Sequence, residues 1–423
     1  MAHAYISKVV NLLDPSTNRL FNMSLEEAEA RLHHGDAAAI GDIEGSFALV
    51  TVDGITVRIA RTLDRPVRYF LAKRAEGPAL FIADRIDALR AGLAAEGLEG
   101  QFHPSYTRMV PAHYVLELSL VGCPDPDPRY ERYFTPTRNA LPPDLDVIGE
   151  GYIRALSLEC ERWLQRVAVG NAEPIGVAFS GGIDSGAVFL VLYHAMLRLG
   201  LSPARLKAFV LNLGSGADAA QARAFLDEVG LSLFLEEIDA DPSAINVTDT
   251  IRIIEDYKPL DVECAAVGVL LCRGIRERYP EWRLLIDGDG GDENLKDYPI
   301  EENPELTIHS VVNNLMLYHE GWGVGRIKHS LTYSGGLSRS YTRTYAPARH
   351  YGFEACSPYT SPRVIGVAEG IPFTALTGYS VPALYALKGD IVRRGVRAVT
   401  GFEMPVFPKR RFQHGVKIGR AHV

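Results

Sequence analysis

The sequence predicts an α/β protein in two parts: a mainly antiparallel β domain, then a doubly wound parallel α/β domain. Three observations carry that prediction. Before residue 120, β-rich runs come in pairs broken at turn residues. After residue 150, apolar strand runs alternate with stretches of helical spacing. Two glycine-rich turns, at 180–185 and 287–293, directly follow apolar strands, which is where parallel sheets place their ligands.

In the first part, SFALVTVDGITVRIARTL (46–63) gives two strands around Asp53 and Gly54, a hairpin signal. VRYFLAKRAEGPALFIAD (67–84) repeats the arrangement around Glu76, Gly77 and Pro78. Residues 86–98 have helical spacing, and HYVLEL (113–118) is a further strand. This domain is expected to span 1–125. The proline-rich stretch 126–147 shows little periodicity and reads as a linker. The second domain takes 148–423 and opens with a helix over 152–169. IGVAF (175–179), LKAFVLNL (206–213), LFLEEI (233–238) and RLLI (283–286) read as its strands, and 300–423 as mostly helical. Such alternation predicts a parallel sheet with helices on both faces.

The bulk composition narrows the function classes. At 423 residues the chain fits two or three domains. With 47% hydrophobic and 23% charged residues it has the composition of a folded, water-soluble chain. A net charge of −8 argues against nucleic-acid binding through bulk charge. No apolar run reaches the roughly 18 residues a membrane span needs, and the N-terminus lacks a signal-peptide pattern. Neither nucleic acid nor membrane is therefore an expected partner. The five cysteines, Cys123, Cys160, Cys264, Cys272 and Cys356, form no C-x-x-C pair. That disfavours a disulfide framework or zinc site and suits the reducing cytoplasm. A homo-oligomer is compatible with all of this.

VAFSGGIDSGAV (177–188) carries the chemistry. A strand stopping at Ser180 and a helix starting near Ser185 leave backbone N–H groups unpaired at the helix start. With the helix dipole they form an anion site. Gly181 and Gly182 let the backbone approach a phosphate closely, and Ser180 and Ser185 add hydroxyl donors. Asp184 would repel a bare phosphate, so its presence implies a divalent cation such as Mg²⁺. The ligand implied is a nucleotide pyrophosphate with its metal. The competing account of S-G-G alone is a capped tight turn.

SGGIDS is the signature of the PP-loop ATP pyrophosphatases, and the sequence resembles the asparagine synthetases within that group. IDGDGGDENLKDYP (286–299) is similar to their S-G-E-G-x-D-E-x-x-x-G-Y pattern. HYGFEACSPYTSPRVIGVAEGIP (350–372) resembles G-x-E-A-R-x-P-F-L-D, and 387–416 resembles the closing K-x-x-L-R … R-x-K-x-x-F-x-x-G-V stretch. IEGSFALV, RTLDRPVRYF and FIADRIDAL resemble, more weakly, segments of the family's N-terminal-nucleophile glutaminase domain. That resemblance makes 1–125 a degenerate glutaminase-like domain. Glutaminases of this class use a first-residue cysteine, because a thiolate must attack the amide. This chain begins MAHAYISK, and its first cysteine is Cys123. No glutaminase activity is expected, as in the β-lactam synthetases that resemble this family.

What the resemblance implies for residues is as follows. Ala178 and Leu211 match positions whose backbone holds adenine. Ser180, Gly181, Gly182, Ser185 and Gly288 would cradle phosphates. Asp184 and Asp292 would share Mg²⁺. Asp289 takes the place of the general base, one methylene shorter than the usual Glu; its alternative is a turn carboxylate. Lys409 would neutralise the leaving pyrophosphate, the alternative being a solvated basic tail. For Lys388, a helix-surface lysine would look identical. Cys356 stands where the family has Arg, and is either a small buried residue or a sulfur relay. Cys264 and Cys272 read as core. His319 and Glu320 either line a substrate pocket or form a structural pair.

The resulting expectation is an ATP- and Mg²⁺-dependent ligase. It would adenylate a carboxyl or carbonyl oxygen of a small-molecule or peptide substrate, and an amine would then displace AMP without glutamine as donor. The alternative is a sulfur-inserting PP-loop enzyme that uses a persulfide on Cys356 or Cys123. A nucleotide-binding scaffold without catalysis is the third reading, disfavoured by Asp184, Asp292 and Lys409.

Overall fold

A computed structural model describes residues 6–120, 128–214, 217–298, 300–302, 306–316, 319 and 337–407. Contacts divide the chain into two compact units; the main division falls between Thr135 and Pro136, and the described residues 337 and 338 group with the first unit.

The first unit has four layers. One sheet orders its strands β1-β5-β4-β6, from Lys8–Asn11 (β1), Arg68–Ala72 (β4), Ala79–Ala83 (β5) and Arg108–Met109 (β6). The other runs β8-β7-β3-β2, from Ala48–Asp53 (β2), Thr56–Arg61 (β3), Tyr114–Ser119 (β7) and Arg129–Arg132 (β8). Alternation along the strands sets the layering. Val57, Ile59, Leu116 and Leu118 meet Tyr69, Leu80 and Ile82 between the sheets. On the outer faces, Leu49, Ala60 and Val115 pack with Ala28 and Leu32 of helix α1 (Leu25–His34). Phe70 and Phe81 pack with Leu89 and Leu93 of α2 (Ile86–Ala95). Every strand pair is antiparallel except β1 with β5. Both sequence-read hairpins form. In the first, Asp53 pairs with Thr56 and Gly54 takes φ +57°, the left-handed position a two-residue loop needs.

The linker expected over 126–147 is shorter than read. Strand β8 pairs with Tyr114–Glu117 of β7 and so belongs to the first unit. The prolines at 124, 126 and 128 precede β8 and masked its four-residue alternation. At the other end, α3 (Leu145–Val167) starts seven residues before the expected helix, capped by the Asp144 carboxylate on the N–H groups of Asp146 and Val147.

The second unit is built on a five-stranded parallel sheet in the order β11-β10-β9-β12-β13. Its strands are Ile175–Ala178 (β9), Leu206–Asn212 (β10), Leu235–Asp239 (β11), Leu284–Ile286 (β12) and Glu354–Cys356 (β13). Helices α4 (Ile183–Arg198), α5 (Ala217–Glu228), α6 (Val247–Ile254) and α7 (Pro259–Arg278) fall between them. The order reverses at β9, whose two neighbours are β10 and β12. A crevice at strand ends forms at such a switch point. Trp163, Val177, Phe189, Phe225 and Ile286 are among the core residues beneath it. Short α8 (Gly291–Asn294), then α9 (Pro362–Glu369) and α10 (Val381–Thr400), complete the unit. Among the described residues no helix is long and apolar enough to cross a membrane.

Helices α3 and α10 approach through glycine. A Cβ on Gly395 would lie 2.1 Å from the Gly149 carbonyl oxygen. Gly395→Ala is expected to lower unfolding free energy by about 1–3 kcal/mol through overpacking, measured by urea denaturation. Gly366→Ala, in helical α9 where a Cβ meets nothing within 4 Å, is expected to raise it by up to about 1 kcal/mol.

Candidate active site

Two turns meet at the carboxyl ends of β9 and β12. After β9 the chain makes its turn at Gly181, with φ +70° and a Cβ position 2.7 Å from the Ala222 Cα. Only glycine fits that conformation and that gap. Gly182 is the N-cap of α4, and no side chain caps the helix. The start of a 16-residue helix thus keeps its donors for a ligand. Around the bend, the Ser180 and Ser185 hydroxyls lie 3.2 Å apart, and the Ser180 N–H donates to Ser185 Oγ at 3.2 Å.

After β12 the turn closes on the first. A Cβ on Gly288 would sit 2.7 Å from the Ser185 nitrogen, and one on Gly291 2.2 Å from Asp184 Oδ1. The glycines therefore let the two turns touch. Asp287, 2% exposed, braces the second turn. Its Oδ1 accepts from the Asp289 N–H at 3.0 Å, and its Oδ2 accepts from Ser357 Oγ at 2.8 Å. Asn294 holds the end of α8, donating to the Tyr152 hydroxyl at 3.1 Å and the Tyr359 carbonyl at 3.0 Å. His319 is fully buried with Nε2 2.8 Å from Asn294 Oδ1.

The carboxylates of Asp184 and Asp292 converge, and the group between them is an ammonium. Lys388 of α10 donates to Asp184 Oδ2 at 2.6 Å and to Asp292 Oδ1. Asp297 Oδ2 lies 3.6 Å from the same nitrogen, and Lys388 is only 3% exposed. Burial works against its charge, but the three aspartates outweigh it and hold the lysine well above its usual pKa.

Asp289 faces a different partner set. Its Oδ2 is buried and has no hydrogen-bond partner among the described residues. Burial raises its pKa to about 6, with Glu293 and Asp292 adding to the rise; Arg343 and a hydrogen bond from Thr344 oppose it. Glu293, 1% exposed, lies 3.9 Å from Arg343 Nη1. Arg343 and Thr344 come from a π-helical turn, Tyr341–Tyr345, a form often found at functional sites.

The remaining predicted residues divide as follows. Ala178 ends β9 and Leu211 lies near the end of β10, both toward the carboxyl edge of the sheet. Cys356 ends β13 half-buried, and its carbonyl accepts from the Asp287 N–H at 2.9 Å. Cys264 and Cys272 are buried in α7, and burial raises both thiol pKa values. Lys409, Glu320 and Cys123 lie outside the described residues. Sequence reasoning left Lys388 open and missed Asp287, Asp297 and Arg343. The K-x-x-L-R match was the one signal for Lys388; nothing local marks Arg343.

A triphosphate with Mg²⁺ fits what is present. Glycines at 181, 182, 288 and 291 clear the backbone, α4 offers an uncapped N-terminus, and two carboxylates already share one cation. Mg²⁺ takes one or two carboxylates with substrate phosphates and does not need a protein cage. No cluster of three or more metal-ligating side chains occurs among the described residues.

Residues 167–359 match the family model described as asparagine synthase. The match supports an asparagine synthetase-like PP-loop domain over this segment. Both turns, Arg343 and Cys356 fall inside the matched asparagine synthase segment, and Lys388 lies beyond it. No curated protein matches the chain. Among solved structures the chain is similar to the U34-tRNA thiolase NcsA from Methanococcus maripaludis with its 4Fe-4S cluster. Identity there is 16% over 60% of this chain and 81% of that one. The TM-score of 0.26 is too low to bear on activity.

Removing the ammonium while leaving its carboxylates strands buried charge. Lys388→Met is expected to lower unfolding free energy by about 3 kcal/mol in metal-free buffer. Chemical denaturation checks it, with Asp297→Asn expected to cost less, because Asp184 and Asp292 still match the ammonium.

Proposed function

We propose that this protein is an AMP-forming, ATP-dependent ligase that joins a substrate acyl or carbonyl carbon to an amine. The observation that carries the reading is the convergence of Asp184 and Asp292 on one cation site, beside a helix N-terminus. Family membership of the matched segment supports ATP as the nucleotide.

The chain's own groups suit each step. N–H groups at the start of α4, with Ser180 and Ser185, would hold the phosphates and orient the α-phosphorus toward the substrate oxygen. That oxygen forms its bond to the α-phosphorus as pyrophosphate leaves. Asp184 and Asp292 would hold Mg²⁺, which supplies neutralisation of the charge that builds on the departing pyrophosphate. Lys409 is placed in the same neutralising role by sequence alone. In the second half-reaction the amine attacks the activated carbon, AMP leaves with the C–O electron pair, and the amine proton passes to Asp289. A carboxylate with a pKa of about 6 is ionised at neutral pH yet basic enough to take that proton.

The reading takes the amine from the substrate or from free ammonia. The first unit is then a degenerate glutaminase-like domain. The sulfur-inserting alternative has one described thiol at the strand ends, Cys356. Full activity of a Cys356→Ala, Cys123→Ala double variant would remove it.

The test is pyrophosphate release from ATP, screened over carboxylic acids paired with amines, ammonia, glutamine or a sulfur donor. Release that needs both acid and amine, falling about 100-fold or more in Asp184→Asn, supports the reading. Release driven only by glutamine, or unchanged in that variant, contradicts it.

The base makes a further prediction with a defined sign. Its pKa is raised to about 6, so activity should be full at neutral pH, half-maximal near pH 6 and fall toward tenfold per pH unit below that, as Asp289 protonates. Asp289→Asn should lose about 10²–10⁴-fold in the amine-dependent step. A kcat/KM profile flat from pH 5 to 8 would rule Asp289 out as that base.

A further inference from the structure

The ammonium of Lys388 stands where the preceding reading needs a metal. It uses the same two carboxylates, Asp184 and Asp292, and it is buried. A hydrated divalent cation meets two obstacles there. Asp184 Oδ2 and Asp292 Oδ1 already accept from the Lys388 ammonium, and its positive charge lies between them. Mg²⁺ sheds its water reluctantly, so a partial site of this kind does not repay that cost.

The ammonium also has somewhere to go. Asp297 Oδ2 is 3.6 Å from Nζ, a third carboxylate within ion-pair range. It occupies the position of a glycine in the G-Y pair of the asparagine synthetase pattern, and here it is 7% exposed. The four-carbon lysine stem reaches it without any shift of α10.

We propose that Lys388 is an exchangeable counter-ion: it closes the Asp184–Asp292 pair to free divalent cations, and yields the pair to a metal only when that metal arrives on the nucleotide. The proposal rests on Asp184 and Asp292 being the metal ligands. It makes nucleotide-free protein self-neutralised and insensitive to Mg²⁺. It also sets an order, in which metal and triphosphate enter together and Lys388 turns toward Asp297.

The test uses the full chain and Mn²⁺ as the probe, with bound Mn²⁺ read by electron paramagnetic resonance. Without nucleotide, Lys388→Met should bind Mn²⁺ at least about tenfold more tightly than the wild type. Mn²⁺ should raise the Tm of Lys388→Met and leave that of the wild type unchanged. Equal Mn²⁺ affinity in the two proteins overturns the proposal. Should the variant not fold, the wild type decides alone. Saturable Mn²⁺ uptake without nucleotide, lost in Asp184→Asn, contradicts the counter-ion role. Uptake that appears only with a non-hydrolysable ATP analogue, and is lost in Asp184→Asn, supports it. If Asp184→Asn leaves uptake with the analogue unchanged, the metal-ligand reading itself fails and this proposal with it. If that uptake is lost in the variant but the wild type also binds free Mn²⁺, the ligand reading stands and only the counter-ion role falls.

Discussion

Lys388 between Asp184 and Asp292 ties together three elements far apart in sequence: the start of α4, the short helix α8 and the middle of α10. A buried lysine is tolerable only if its charge is matched, and the match here requires both turns to reach it. They reach it because β9 and β12 are neighbours in the sheet. That adjacency follows from the reversal of strand order at β9. The ion cluster and the sheet topology are therefore one constraint: neither turn alone could satisfy the ammonium. Such a cluster contributes little net stability against an apolar replacement of the whole set, but it makes any alternative packing of the turns costly.

Close approach of the two turns adds a second requirement, the lack of side-chain atoms. At Gly181 the limit is both conformation and space; at Gly288 and Gly291 it is space alone. The clearance that lets the turns touch also leaves main-chain donors open at the mouth of α4. One set of residues thus serves packing and ligand access. On the far side of the second turn, Asp287, Ser357 and Asp289 form a braced loop, and Arg343 offsets part of the negative charge collected there.

Much of this was legible in the sequence, for local reasons. The apolar run IGVAF and the glycine pair after it announce a strand, a bend and a helix, and the structure has all three. The hairpin at Asp53 and Gly54 was readable because turn chemistry is local. Lys388 was not decidable, since burial of a lysine depends on carboxylates 204 and 96 residues away. Arg343 and Asp297 were invisible for the same reason. Strand β8 was hidden by the prolines before it, and its pairing with β7 is a tertiary fact. Sequence patterns give elements and turns; they do not give the counter-charges that those turns meet.

The central claim is that the Asp184–Asp292 pair at the mouth of α4 holds a metal-bound triphosphate. A crystal structure with Mn²⁺ and a non-hydrolysable ATP analogue tests it most directly, through the anomalous signal of manganese. The account predicts a manganese peak bonded to both aspartates, phosphates on the N–H groups of α4, and the Lys388 nitrogen moved off the pair. Manganese and triphosphate bound elsewhere, with Lys388 still bridging the two carboxylates, would contradict it.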